Sequence, residues 1–140
     1  GRRRRGEMGR YSDHGRGRGV GHQLLTPENP HRFAKKVNPW PLVAGNIMTI
    51  EPGYYQAESH GIRIENQVEI VECRPGFCKF ASLTLIPIDL SQVELSLLNE
   101  QEKQWLDEYH LRVRETLSPL VESDARPWLF EATAPIHVNR

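Results

Sequence analysis

The chain has 140 residues, with 18 basic and 18 acidic side chains, 38% hydrophobic residues and 26% charged ones. That length suits one domain able to bury roughly two-thirds of its unfolded surface, and the composition is too apolar for a wholly disordered chain. No apolar run approaches the ~20 residues of a membrane-spanning helix, and the arginines of residues 2–5 lead into Gly6 and polar residues instead of the apolar stretch of a secretory signal.

The neutral total conceals an asymmetry. Residues 1–21 hold seven arginines against Glu7 and Asp13, together with seven of the eleven glycines. With Met8 and Val20 as its only aliphatic side chains, this Arg/Gly-rich arm cannot bury itself and is expected to be mobile. A chain that starts at Gly1 is read as a processed product or a piece of something longer. Prolines at 27, 30, 39 and 41 make Leu24–Pro41 loop-like, because each keeps its predecessor extended.

Ile47–Ile50 is a short apolar run stopped by the Glu51-Pro52-Gly53 turn. Ile62, Ile64, Val68 and Ile70 alternate with Arg63, Glu65, Gln67 and Glu69, the period of two of an amphipathic strand. Arg74-Pro75-Gly76 predicts a turn, and Phe80–Ile88 a second strand pairing antiparallel with the first. Asn99 is an expected N-cap with Glu102 three residues into the helix. Trp105, Tyr109, Val113 and Leu117 then recur at intervals of four, predicting a helix with one apolar stripe packed on the sheet near Leu83 and Leu85 and ended by Pro119. A shorter helix is expected around Trp128–Thr133. The fold class is α+β, an antiparallel sheet covered by C-terminal helices.

Taken singly, the chemically able residues say little. Glu51 and Glu65 read as solvated carboxylates, and His14 as a loop histidine. Cys73 and Cys78 are too few for a disulfide scaffold and lack the second pair a structural zinc site needs, so they are read as free thiols of an intracellular protein. The arm could hold nucleic acid through its guanidinium groups, but Tyr11 is its one aromatic residue, and nucleic-acid binding is the minor reading.

The joint pattern says more. Residues 14–21 read His-Gly-Arg-Gly-Arg-Gly-Val-Gly, 49–55 Thr-Ile-Glu-Pro-Gly-Tyr-Tyr, 61–66 Gly-Ile-Arg-Ile-Glu-Asn, followed by Leu83-Thr-Leu-Ile-Pro-Ile-Asp and Trp105-Leu-Asp-Glu-Tyr-His. From Tyr11 to Ile136 this closely resembles the C-terminal half of the aminopeptidase P (Xaa-Pro aminopeptidase) group of metallopeptidase family M24. The resemblance implies the second half of a pita-bread (creatinase/aminopeptidase) fold over residues 22–90, and the family's helical C-terminal extension over 91–140. The arm of residues 1–21 would carry a degenerate His-Gly-x-Gly-His motif.

It also implies a chemistry. Family members hold two manganese ions on two aspartates, one histidine and two glutamates, and the metals activate a bridging water against the bond before a proline at the second position. By motif, Glu51 and Glu65 are the two glutamate ligands, Glu51 also shuttling a proton. Arg63 and Tyr55 support the ligands, and His14 assists substrate. The histidine ligand, however, falls on Arg18, whose guanidinium has no lone pair to give. The family's downstream histidine aligns with Pro27, and the two aspartates belong to an earlier segment absent from this chain. Three of five ligands are therefore missing. The resemblance implies a cytoplasmic metallopeptidase acting on Xaa-Pro peptides. For this chain it implies manganese absent or weakly held, and a fragment or degenerate copy inactive on its own. The alternative is a non-catalytic module that forms a homodimer or binds a partner. Arg18 is expected either to bridge Glu51 and Glu65 in place of the metals or to point into solvent.

Overall fold

The computed structural model describes residues 17–20, 27–33 and 38–136. They fall into two compact units that meet in sequence at Thr84 and Leu85.

Among the described residues, the first unit contains seven strands: β1 (Gly17–Val20), β2 (Pro27–Phe33), β3 (Ile47–Ile50), β4 (Gly53–Gln56), β5 (His60–Arg63), β6 (Asn66–Arg74) and β7 (Phe77–Ser82). Five of them form an antiparallel sheet in the order β2-β1-β3-β6-β7, and β4 and β5 pair separately as a hairpin. Met48, Val68 and Ile70 are its buried centre, with Phe33, Leu42 and Ile50 packed around them. Met48 lies opposite Val68 across the β3–β6 ladder, so one face of two neighbouring strands is apolar.

Three expectations change here. Gly17–Val20 is not a mobile arm but a strand inside the sheet, between β2 and β3, while residues 1–16 lie outside the described residues. The proline-rich stretch read as a loop contains β2, and Pro27 and Pro30 are tolerated there because β2 is the sheet edge, where a missing N–H breaks no ladder. The single strand read across Ile62–Ile70 is two. β5 ends at Arg63 against β4, and β6 begins at Asn66 against β3, so the chain changes partner at Ile64-Glu65. Ile62 and Ile64 accordingly stay exposed while Val68 and Ile70 are buried. Alternation of two cannot register a change of sheet, because it continues through the bend.

The second unit begins with an extended segment, Leu85–Ile88, followed by a single 3-10 turn at Leu95–Leu97 and the helices α1 (Glu100–Leu117) and α2 (Arg126–Ala132). The expected second strand thus ends early, at Ser82, and its Leu85–Ile88 portion packs on a helix instead. Asn99 caps α1 in both directions: its side chain accepts from the Glu102 N–H at 2.8 Å, and the Glu102 carboxylate accepts from the Asn99 N–H at 3.0 Å. Tyr109, Val113 and Leu129 form the buried centre, with Leu85, Ile88, Leu117 and Val121 around it.

Trp105 is a correction. It is 55% exposed, and the buried face of α1 runs instead through Leu106, Tyr109, His110 and Val113. Steps of four residues overshoot a 3.6-residue turn by ~40° each, so a stripe spaced strictly by four drifts by ~120° from Trp105 to Leu117 and cannot stay on one core. Leu83, the other expected contact, is itself 41% exposed.

Candidate active site

The site is built around the end of β3. Thr49 and Glu51 lie two apart and so project to the same side, and both are buried, at 2% and 5% exposure. The Thr49 hydroxyl donates to Glu51 Oε1 at 2.9 Å and accepts from the Arg18 main-chain N–H, also at 2.9 Å. That second bond requires β1 to lie close. Gly17 makes this possible, since a Cβ there would collide with the Thr49 carbonyl oxygen.

The β4–β5 hairpin supplies the other side. Its register sets Gly53 opposite Arg63 and Tyr55 opposite Gly61. The Tyr55 ring lies over both glycines, where an added Cβ would come within 2.6 Å and 2.8 Å of it respectively. With the ring seated, the Arg63 Nε donates to the Tyr55 hydroxyl at 2.7 Å, and Arg63 Nη1 stands 3.4 Å from Glu51 Oε2. The Arg63 pKa is raised, first by the Tyr55 hydrogen bond and then by the charges of Tyr55, Glu51 and Glu65, while desolvation opposes this. Arg63 is thus a permanent cation within electrostatic reach of both glutamates.

The residues singled out from the sequence have different outcomes. Glu51, Tyr55 and Arg63 come together. Glu65 lies on the exposed link between β5 and β6. Arg18 stands on β1 with its side chain exposed, and it reaches the Glu51 network through its backbone. Among the described residues, the Arg63 guanidinium pairs with Glu51. His14 lies outside the described residues. Thr49 was missed, although its position two before Glu51 on an amphipathic strand was the signal that could have found it.

The donor set does not complete a metal site. Among the described residues, no group of three or more His, Cys, Asp or Glu side chains is placed to hold an ion. Of the two carboxylates available, Glu51 already accepts from Thr49 and faces a guanidinium. A di-metal centre asks for more anionic oxygen and imidazole donors than these. The described residues offer a buried, oriented carboxylate and its supports.

An antiparallel sheet with a separate β4–β5 hairpin, followed by a helical unit, is an α+β arrangement. The model of metallopeptidase family M24 matches residues 2–72, and that of the C-terminal region of peptidase M24 matches residues 76–136. The chain belongs to metallopeptidase family M24. It is 43% identical over 141 residues to the Xaa-Pro aminopeptidase app-1 of Caenorhabditis elegans, covering 93% of this chain and 23% of that one. It is 42% identical over 134 residues to a probable Xaa-Pro aminopeptidase P of Laccaria bicolor, covering 88% of this chain and 21% of that one. The crystal structure of the X-prolyl aminopeptidase of C. elegans, described as a cytosolic enzyme with a di-nuclear active site, superposes with a TM-score of 0.85 at 41% identity, over 96% of this chain and 23% of that one. The chain therefore spans about a fifth of the length of the curated relatives it matches. Among the described residues, no helix is long and apolar enough to cross a membrane.

Proposed function

We propose that this chain contributes the glutamate side of an aminopeptidase P site, the activity of which is removal of the residue before a proline at the second position of a peptide, and that the chain alone does not turn over. The buried Glu51, gripped by Thr49 and faced by Arg63, is the observation that carries this reading. A carboxylate taken out of water costs several kcal/mol unless it is hydrogen-bonded and paired, and a position held in this way is an oriented ligand or proton carrier rather than a surface charge. Glu65 is the second ligand, Arg63 and Tyr55 hold Glu51 in position, and His14 meets the substrate. The cytosolic setting of the C. elegans enzyme suits the two exposed free cysteines of this chain.

The aspartate and histidine ligands of the family pattern are missing from this sequence, so manganese is held weakly or not at all. Two measurements test the reading. Incubating the chain with manganese and an Xaa-Pro peptide is expected to release no N-terminal residue, and release at a steady rate overturns inactivity. Titrating manganese against the isotope-labelled chain is expected to broaden NMR signals at Glu51 and Glu65 only at millimolar metal. Broadening spread over the acidic surface instead would remove Glu51 and Glu65 from the role assigned to them.

A further inference from the structure

We infer that Cys73 and Cys78 form a reversible thiol-oxidation site that closes a disulfide across the β6–β7 hairpin. The inference rests on the hairpin's register. Glu72 pairs with Cys78 and Arg74 with Phe77, so Cys73 is the extra residue of a bulge, and two residues of β6 face one rung of β7. The Cys73 thiol donates to the Phe77 carbonyl oxygen at 3.4 Å. That carbonyl carbon is bonded to the amide nitrogen of Cys78, so the sulfur of Cys73 already lies beside the backbone that carries the second thiol. Cys78 stands directly opposite Glu72, the residue before Cys73, so the two cysteines occupy neighbouring positions across the bulge.

Access and rigidity complete the case. Both cysteines are free and exposed, which lets an oxidant reach them. The intervening turn is short and held. Gly76 adopts φ +77°, the left-handed conformation glycine tolerates, and the Arg74 guanidinium lies 4.0 Å from the Phe77 ring centroid. The turn thus holds side by side the two strands that carry the thiols.

With hydrogen peroxide as the oxidant, one thiolate sulfur attacks a peroxide oxygen, giving a sulfenic acid and water. The second thiol then displaces the sulfenic hydroxyl as a second water, forming the S–S bond. Two hydrogens leave the protein and one peroxide is reduced. A dithiol reductant reverses the change.

The test treats the whole chain with one equivalent of peroxide, alkylates it with iodoacetamide and analyses the tryptic peptide 64–79, which holds both cysteines because Arg74 precedes Pro75. The expected product is a monomer whose peptide is lighter by two hydrogens, unalkylated, and fully alkylated after dithiothreitol. Phenylarsine oxide, which bridges paired thiols, should bind once per chain, and either Cys73→Ser or Cys78→Ser should abolish that binding. Both side chains are exposed, so these variants keep the fold. Two alkylated cysteines after oxidation, a disulfide-linked dimer as the main product, or arsenical binding that survives the single variants would each overturn the site.

Discussion

Replacing Thr49 by valine is the sharpest probe of how the fold holds Glu51. The two side chains have nearly the same shape, so no cavity opens and the change is close to purely chemical. Two bonds disappear together. Glu51 Oε1 loses a 2.9 Å donor, and the Arg18 N–H loses its 2.9 Å acceptor. A hydrogen bond to a charged group is worth about 1.5–3 kcal/mol, and stranding a buried donor costs about 1–3 kcal/mol. Valine's extra methyl returns about 1 kcal/mol of apolar burial. The net cost is about 2–4 kcal/mol, since Thr49 is 2% exposed and water cannot substitute for it. Amide hydrogen exchange at Met48, Val68 and Ile70 reads the first unit alone, and a loss of this size should speed exchange about 30- to 700-fold at one decade per 1.4 kcal/mol. Thr49→Ser keeps the hydroxyl and should lose only about 1 kcal/mol for its methyl. If valine accelerates exchange less than about threefold, or no more than serine does, the hydroxyl is not what holds Glu51.

Trp105→Ala should cost about 1 kcal/mol in thermal or urea unfolding, because the exposed ring contributes mainly its stack on Tyr109, at 5.6 Å between centroids and 12° between planes; a loss above about 3 kcal/mol would return the ring to the core. Arg18→Leu should leave stability within ~0.5 kcal/mol, as expected where an exposed side chain is changed and the engaged backbone N–H is kept; a large loss would restore the bridging role read from the sequence. The second unit should weaken in mild acid. His110 is fully buried, its Nε2 accepts from the Ile88 N–H at 3.0 Å, and its Nδ1 has no partner among the described residues. Burial lowers its pKa ahead of a raising contribution from Asp107 and a lowering one from Arg114. The unfolded chain therefore binds the proton first: the stability is fully present above the ordinary value near 6.5 and drains away as pH falls from there toward the lowered folded value. A melting temperature of the helical unit that stays flat between pH 7 and 5 would contradict this.

The legible parts of the fold were those decided locally. The capping box at Asn99 and Glu102, the run Ile47–Ile50 and the Arg74-Pro75-Gly76 turn each depend on neighbours in sequence, and each formed where expected. The misread parts were decided by partners distant in sequence. β1 is strand-like only because β2 and β3 flank it, and an Arg/Gly composition carries no sign of that. Leu85–Ile88 has the residues of a strand, but Tyr109 donates to the Ile86 carbonyl and the Ile88 N–H goes to His110, so a helix takes the bonds a neighbouring strand would have taken.

The site divides along the same line. Glu51, Tyr55 and Arg63 belong to motifs whose spacing carries their geometry: the β4–β5 register seats the tyrosine, two glycines leave room for its ring, and the tyrosine hydroxyl aims the guanidinium. Once the hairpin forms, that arrangement follows from residues 51–63 alone. Arg18 depends on the approach of another strand, and there the motif position and the chemical role separate. The motif reading expects the family's histidine ligand at the position of Arg18, yet on β1 it is the backbone N–H of Arg18 that meets Thr49. The grip on Glu51 belongs to the fold: Thr49 on β3 donates to the carboxylate, and Arg63 on β5 sets a guanidinium against it.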